Sequence, residues 1–212
     1  MTGYYPVTLL LAGRRGVVVG GGLVAERKAR DLLAAGARVT VVAPEVTKGL
    51  DALARAGEVR LIRRAVEPTD LDGAHLVILA TDDGELNARL SAQCEERGLL
   101  VNVVDCPELG NFHVPATMTR GPVTVAISTG GASPALARRL RETIEAVVGE
   151  EHGALAELMG ELRAEVKARW PRQVDRAQVW HQVLESEALD LLRQGRAEEA
   201  RCLARRLLGL PD

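Results

Sequence analysis

Aromatic residues are scarce in this chain, since phenylalanine, tryptophan and tyrosine together make up 2% of its 212 residues. The hydrophobic share is nevertheless 47%, so valine, leucine and alanine must form the core. A net charge of −2 at pH 7 provides no general electrostatic attraction for nucleic acid or for an anionic membrane. We therefore expect neither as a partner.

Cysteine is also scarce, and Cys94, Cys106 and Cys202 lie far apart without forming a CxxC pair. This odd number and spacing argue against a disulfide framework and against a cysteine-rich zinc site. The apolar run at residues 7–12 is too short for the core of a signal peptide. No run approaches the roughly 20 apolar residues that span a bilayer. These absences predict a cytoplasmic protein.

The first half of the sequence alternates short, β-branched apolar runs with helical patterns. Near-continuous apolar strands that alternate with helices are typical of a parallel sheet covered on both faces. The pattern predicts strands at residues 16–19, 38–43, 59–62, 76–80 and 100–104, with helices at 24–35, 46–56 and 83–97.

The pattern changes after Asp105. Two strands are predicted at 111–116 and 123–128, followed by a helix that begins at Ser133 and Pro134. From residue 150 onward only helical patterns remain. The chain is therefore predicted to comprise an α/β domain, a small α+β segment and a helical domain, at residues 1–112, 113–149 and 150–212.

Glycines follow the first predicted strand directly, in the sequence VVVGGGLVAERKA. Gly20, Gly22 and Ala25 occupy the small positions of GxGxx(G/A), which allow a tight turn, a close approach to a pyrophosphate and close helix packing. The helix that follows directs free N–H groups at the phosphates. Because the motif lies between a strand and a helix, it predicts a Rossmann-type domain that binds a dinucleotide.

The residues after the second strand leave open whether the dinucleotide is NAD or NADP. A ribose-binding acid usually ends that strand, about 20 residues after the first glycine. Here Glu45 lies slightly late, and it could equally be a charge in the first turn of the next helix. We expect contacts with the cofactor from Gly20, Gly21, Gly22, Leu23, Val24, Ala43, Pro44, Glu45 and Thr81.

Asp105 is the candidate acid/base residue. It follows the fifth strand, at the edge of the sheet where open α/β folds bind ligands, and its carboxylate can accept a proton. The alternative is a loop residue that caps a turn before Pro107. His113 can assist proton transfer or contact a metal ion, although a single histidine in a strand is more often structural. The remaining histidines have no ligand spacing, so no stable metal site is expected.

A second glycine-rich loop, made of Ser128, Thr129, Gly130 and Gly131, precedes a helix. Its N–H groups can hold a carboxylate of a ligand, or the loop can simply cap the helix. Cations in the C-terminal helices can face carboxylates of a ligand or form a solvated surface; they are Arg163, Lys167, Arg169, Arg172 and Arg176.

Four motifs in order resemble a known family. The segments VVVGGGLVAERKARDLLAAGARVTVVAPE, ILATDD, NVVD and STGGASPALARRLRE resemble the dehydrogenase and ferrochelatase module of the siroheme synthase family. The resemblance implies oxidation of precorrin-2 to sirohydrochlorin with NAD as hydride acceptor, and in some members Fe²⁺ insertion to give siroheme. No segment resembles the methyltransferase of the larger members, so that activity is expected to be absent.

The resemblance also implies roles for particular residues. Asp105 is the expected general acid/base, and the loop from Ser128 to Gly131 is favoured as a contact for the tetrapyrrole, together with His113. A homodimer is implied, in which the second subunit completes the active site. We expect the segment 113–149 to form that dimer interface, because its strands need a partner to cover their edges.

Two other functions fit part of the pattern. A regulatory module of the kind that gates ion transporters also binds NAD on a Rossmann unit but needs no catalytic carboxylate. A structural dimerisation protein with a vestigial site is the third reading. The NVVD and STGGASP segments favour the enzyme over both, as does Asp105 beside an intact glycine motif.

Overall fold

The computed structural model describes residues 3–211. The chain forms two compact units, the first ending at Val114 and the second beginning at Pro115. The division into three parts, with a further boundary at residue 149, stays a prediction.

Five parallel strands form the sheet of the first unit, in the order β3-β2-β1-β4-β5. This order places β1 beside β4, although two strands lie between them in the sequence. The strands are β1 (Arg15–Val19), β2 (Arg38–Val42), β3 (Val59–Ile62), β4 (Leu76–Leu79) and β5 (Leu100–Val103), and the helices are α1 (Leu23–Ala34), α2 (Lys48–Arg55) and α3 (Gly84–Glu96). Short 3₁₀ helices lie at Pro68–Leu71 and Pro107–Leu109. The predicted Rossmann-type parallel sheet is confirmed.

The apolar strands are buried on both faces of the sheet. Val18 of β1 packs in one core with Ala25 and Ala29 of α1. Val17 and Val19 point to the opposite face and belong to a second core, which includes Leu90 of α3. Because successive residues of a strand face opposite sides, a strand covered by helices on both sides needs apolar residues at every position.

The second unit combines a two-stranded ribbon with five helices. The ribbon pairs β6 (Ala116–Arg120) and β7 (Val123–Ile127) in antiparallel fashion. The helices are α4 (Pro134–Glu145), α5 (Glu150–Arg169), α6 (Gln173–Leu184), α7 (Ala188–Arg193) and α8 (Ala197–Leu207). Helices α5–α8 bury an apolar core of their own, which includes Leu162, Val166, Val183 and Leu208.

The strand predicted at 111–116 is wrong, since β6 begins at Ala116. Asn111 holds this part of the chain against β5 with its side chain instead of a strand ladder. Its Oδ1 accepts a hydrogen bond from the N–H of Val101 at 2.8 Å, and its Nδ2 donates to the carbonyl of Leu99 at 2.9 Å. Pro115 has no N–H to donate to a strand ladder, and β6 begins directly after it.

None of the helices within residues 3–211 combines the length and the hydrophobicity that crossing a membrane requires.

Candidate dinucleotide and acid/base site

Gly20 forms the turn between β1 and α1. Its φ is +123°, and a Cβ at this position would collide with the carbonyl oxygen of Ala80, which follows β4. The N–H of Gly20 donates to the carbonyl of Val42 at the end of β2, at 3.0 Å. Both the conformation and the close approach therefore require glycine, and the turn lies where the strand order reverses between β1 and β4.

Gly21 packs against the loop that follows β2. A Cβ here would collide with the carbonyl oxygen of Glu45 and would lie 3.1 Å from the Cβ of Ala43. The carbonyl of Gly21 accepts a hydrogen bond from the N–H of Thr47 at 2.9 Å. Sequence reasoning gave Gly21 no packing role, although three consecutive glycines, where the motif needs only the first and third, are a signal for it.

Gly22 caps α1 with extended backbone at φ −78° and without a side-chain hydrogen bond. A Cβ on Gly22 would meet none of the described atoms within 4 Å, and Leu23 in the first helical turn is 79% exposed. The first N–H groups of a helix have no carbonyl partner within it, and here Leu23 and Val24 supply two of them beside open space. These features fit a pyrophosphate and an apolar cofactor surface.

The loop after β2 lies next to this glycine turn. Ala43 is buried, whereas Pro44 and Glu45 are exposed. Glu45 precedes α2 by three residues, so it lies in the loop and not in the first helical turn. The predicted contacts at Ala43, Pro44 and Glu45 are thus placed beside Gly21, at one edge of the sheet.

Glu26 and Thr47 join the glycine turn to α2. The hydroxyl of Thr47 donates to the Glu26 carboxylate at 2.5 Å, and Arg30 donates to it at 2.8 Å. These hydrogen bonds, that from Thr47 first, hold the pKa of Glu26 below its usual range. Gly49 lies directly against the same carboxylate. This cluster depends on residues 21 positions apart in the chain, and sequence reasoning did not find it.

Thr81, in the loop after β4, is held in place by the buried side-chain amide of Asn87 in α3. Its hydroxyl donates to Asn87 Oδ1 at 2.7 Å, and its carbonyl accepts from Asn87 Nδ2 at 2.9 Å. Asp83 caps α3 by accepting from the N–H of Leu86 at 2.9 Å. The loop is therefore rigid beside Gly20, and Asn87 is a contributor that the sequence pattern did not reveal.

Asp105 has a φ of +63° and is the only residue other than glycine with positive φ within residues 3–211. The N–H of Val104 donates to the carbonyl of Leu79 at 2.9 Å, so the exposed Asp105 leaves the sheet beside the end of β4. The ends of β1, β4 and β5 thus bring Gly20, Thr81 and Asp105 to one edge of the sheet. Backbone strain at a non-glycine residue is concentrated at functional sites in proteins.

His113 lies in the first unit, in the segment that Asn111 fastens to β5. Its half-buried ring makes an edge-to-face contact with Tyr4, with the ring centroids 5.5 Å apart. The residue is in a loop and not in the predicted strand. Within residues 3–211, no group of three histidine, cysteine or acidic side chains could hold a metal ion.

The loop from Ser128 to Gly131 belongs to the second unit. Thr129 Oγ1 accepts a hydrogen bond from the N–H of Ser133 at 3.1 Å, and Ser133 caps α4 through the N–H of Leu136. Gly130 and Gly131 have φ of +62° and +82°. The loop is therefore a preformed turn in which Ser133 fulfils the capping role.

Comparisons with known proteins cover nearly the whole chain. An NAD(P)-binding family model matches residues 7–116. The model of the sirohaem biosynthesis protein central region matches residues 120–146, and the sirohaem synthase dimerisation region matches residues 151–208. The chain belongs to the siroheme synthase family.

Curated members of the family are similar over most of this chain. Siroheme synthase of Methylococcus capsulatus is 45% identical over 197 residues, which are 93% of this chain and 42% of that protein. Siroheme synthase 1 of Aeromonas salmonicida is 44% identical over 186 residues, which are 88% of this chain and 40% of that protein. The chain therefore spans about two fifths of the length of these curated relatives.

A solved structure, the precorrin-2 dehydrogenase SirC, is similar over its full length. It is 28% identical with a TM-score of 0.79, and the match covers 96% of this chain and 100% of that chain. The fold predicted from the sequence, a Rossmann-type sheet followed by a helical region, is confirmed by this similarity. The family's dimerisation region matches the helical part of the chain, whereas we expected the dimer contact in the segment 113–149.

Proposed function

We propose that this chain oxidises precorrin-2 to sirohydrochlorin with NAD. The observation that carries the proposal is the strained Asp105, which lies at the same edge of the sheet as the glycine turn. The similarity to siroheme synthases and to a precorrin-2 dehydrogenase supports the same reaction. A regulatory nucleotide-binding module would have no need for a carboxylate in this position.

The first unit would hold the cofactor with backbone groups. Gly20, Gly21 and Gly22 allow the pyrophosphate to approach the N-terminus of α1, while the loop of residues 43–45 and Thr81 border the two ends of the dinucleotide. Bound NAD supplies the hydride acceptor. The Asp105 carboxylate would accept the proton that the substrate gives up together with the hydride, so that NADH and one proton would account for the two hydrogens removed.

NAD fits this site better than NADP. A 2′-phosphate needs a cation near the end of β2, as a rule an arginine. Arg38 lies at the opposite end of β2 and donates to the carbonyl of Gly13 at 2.8 Å. Arg63 and Arg64 follow β3, but they pair with Asp51 and Asp70. These three arginines are therefore not available to a 2′-phosphate, and the loop of residues 43–47 contains no cation.

Two further segments are candidate contacts for the substrate. The N–H groups of the loop from Ser128 to Gly131 suit an acetate or propionate side chain of the tetrapyrrole, and His113 is a further candidate contact. We propose that the chain acts as a homodimer, in keeping with its match to the family's dimerisation region. Sedimentation of a monomer at micromolar concentration would contradict this. Cys94, Cys106 and Cys202 are free thiols. Unpaired cysteines are typical of a reducing compartment, which supports a cytoplasmic location.

Insertion of Fe²⁺ into sirohydrochlorin is a second activity that the same carboxylate supports. The metal must replace two pyrrole protons, and Asp105 offers an acceptor for them at the sheet edge. Fe²⁺ is then a substrate, which requires no permanent ligand set. If both reactions use this carboxylate, a single substitution should abolish both.

The decisive experiment mixes the protein, NAD and precorrin-2 without oxygen and follows NADH formation and the visible spectrum. Asp105→Asn keeps the size of the side chain and removes its basicity. We expect NAD affinity to stay unchanged and the oxidation rate to fall by about 10²- to 10⁴-fold. Glu108→Gln removes a neighbouring exposed carboxylate outside the proposed site and is the matched control. Oxidation by Asp105→Asn at the wild-type rate would make Asp105 structural and His113 the next candidate base.

A further inference from the structure

The helical part of the second unit contains a cavity of about 420 Å³ on α5 and α6, which we call the helical pocket. The function proposed above makes no use of it. Arg163 and Lys167 lie one turn apart on α5, and the other residues come from α6. The pocket is lined by Arg163, Lys167, Gln173, Arg176, Ala177 and Trp180.

The cations of the helical pocket differ from several other arginines in the helical part of the second unit. Many arginines there are paired with carboxylates: Arg172 with Asp175, Arg196 with Glu199, Arg201 with Glu161 and Arg205 with Glu165. Arg163 and Lys167 form no ion pair with any residue in the described part of the chain. Two positive charges are therefore available to an anion at this wall.

Arg176 adds a third positive charge from the opposite wall, and its position is defined. Its Nη1 donates to the carbonyls of Trp170 and Pro171, at 2.8 and 2.5 Å. These bonds hold the guanidinium at the start of α6 without neutralising it, because carbonyls carry no net charge. The cations of the pocket thus come from two helices, α5 and α6.

The rest of the wall is apolar. Trp180 is half-buried and presents an indole, Ala177 has only a methyl group, and the stems of Arg163 and Lys167 are aliphatic. A small inorganic anion would leave this surface uncovered. A ligand with a flat conjugated body and several separated anionic arms would cover the apolar surface and meet the cations together.

We propose that the helical pocket binds the carboxylate side chains at one edge of a planar, polycarboxylated tetrapyrrole. The identity of the ligand rests on the proposed function, while binding of an aromatic polyanion follows from the pocket alone. A nucleotide is the competing aromatic polyanion, and displacement experiments distinguish the two ligands. The pocket lies within residues 151–208, which match the family's dimerisation region, but lysine is depleted in the buried core of protein interfaces, so Lys167 is a poor core contact for a second copy of the chain.

Uroporphyrin is a suitable probe, because it carries eight carboxylates on a planar ring and is already fully oxidised. Its fluorescence anisotropy would be titrated with the full chain and with the double variant Arg163→Ala/Lys167→Ala. We expect the double variant to bind about 10-fold more weakly, as two charge-assisted contacts are lost at a solvent-exposed rim. Arg196→Ala removes a cation that Glu199 already neutralises, and it should bind as the wild type does.

Two further measurements make the result unambiguous. Sedimentation and circular dichroism of the double variant should match the wild type, since both substituted side chains are exposed. If the double variant is altered in mass or fold, the single variants Arg163→Gln and Lys167→Gln replace it, with a smaller loss of affinity expected from each. The part of the uroporphyrin binding that the double variant loses should persist when ATP or NADH saturates the protein; its displacement by either would show a nucleotide site and overturn the proposal.

The outcomes separate this inference from the proposed function. Unchanged uroporphyrin affinity in the double variant, while the wild type oxidises precorrin-2, would overturn the pocket and leave the enzyme. Weakened binding in the double variant, together with no oxidation by the wild type, would support the pocket and overturn the enzyme. Equal weakening by Arg196→Ala would reduce the effect to net charge and also overturn the pocket.

Discussion

The two glycine-rich loops of this chain both precede a helix, yet they use their glycines differently. In the first loop, Gly20 and Gly21 lie so close to the carbonyls of Ala80 and Glu45 that no side chain fits. In the second loop, Gly130 and Gly131 have positive φ, but a Cβ on Gly131 would meet none of the described atoms within 4 Å. The first loop requires glycine for packing, and at Gly20 for conformation as well, whereas Gly131 of the second loop is required for conformation alone.

This difference shows that two loops with similar sequence patterns can be held in place by different kinds of contact. The first loop is held by backbone contacts with two other strand ends, so its shape depends on the whole sheet. The second loop is held by the side chains of Ser128, Thr129 and Ser133, which bond to backbone within a few residues. Such local turns form largely independently of the remaining fold. Five substitutions test this contrast.

Gly22→Asp should have the largest effect on binding. Its Cβ meets no described atom and its φ of −78° suits any residue, so we expect the fold to remain intact. The carboxylate would stand where the pyrophosphate approaches, and like charges brought together cost several kcal/mol. NAD affinity should fall by at least about 100-fold. Calorimetry that shows unchanged affinity in a folded variant would refute the cofactor site.

Gly21→Ala should mainly reduce stability. The new methyl group collides with the backbone of Glu45, which cannot move without displacing the loop after β2. We expect a loss of about 1–3 kcal/mol in the free energy of unfolding, typical of overpacking. Urea denaturation measures this directly. A variant as stable as the wild type would mean that the two loops do not differ in packing.

Protonation of Glu26 should weaken the first loop and not the second. The pKa of Glu26 in the folded protein lies below its value of about 4.3 in the unfolded chain. The contribution of Glu26 to the free energy of unfolding is therefore complete above the unfolded pKa and is lost as the pH falls through the folded pKa. Glu26→Gln should therefore flatten the dependence of unfolding free energy on pH in the acid range. Ser133→Ala, which removes the cap of α4, should instead lower stability by about 1 kcal/mol at every pH. An equally steep pH dependence in Glu26→Gln would exclude this role for the carboxylate.

Gly131→Asn should have the smallest effect. Asparagine tolerates the left-handed conformation, and the side chain would point into open space, so we expect a loss of about 1 kcal/mol or less. Thermal unfolding monitored by circular dichroism would detect the change. A loss as large as that of Gly21→Ala would show that the second loop is also tightly packed.

Much of the first unit can be predicted from the sequence, because its signals are local. The strand predicted at 59–62 coincides with β3, and the other four strands of the sheet differ by one residue at an end. Continuous β-branched runs and glycines after helices carry this information without reference to distant residues. The glycine turn and Asp105 were placed at the ends of the correct strands for the same reason.

The errors and omissions arose where a distant partner decides the structure. The segment at 111–116 resembles a strand, but the Asn111 side chain bonds to β5 and replaces the ladder. Asn87 holds Thr81 and Thr47 holds Glu26, and neither pair belongs to a recognisable motif. Hydrogen bonds between side chains depend on where elements meet in space, which periodicity does not encode.

The sequence by itself determined the order of strands and helices, the turn at Gly20 and the family of the chain, since all three depend on residues that are neighbours or follow a fixed spacing. Only the tertiary structure decided that Gly21 is a packing residue, that Asp105 adopts strained backbone at the sheet edge, and that Arg163 and Lys167 lack carboxylate partners within the described residues. Each of these depends on which remote atoms come within a few ångströms, and that distance is set by the packing of the complete fold.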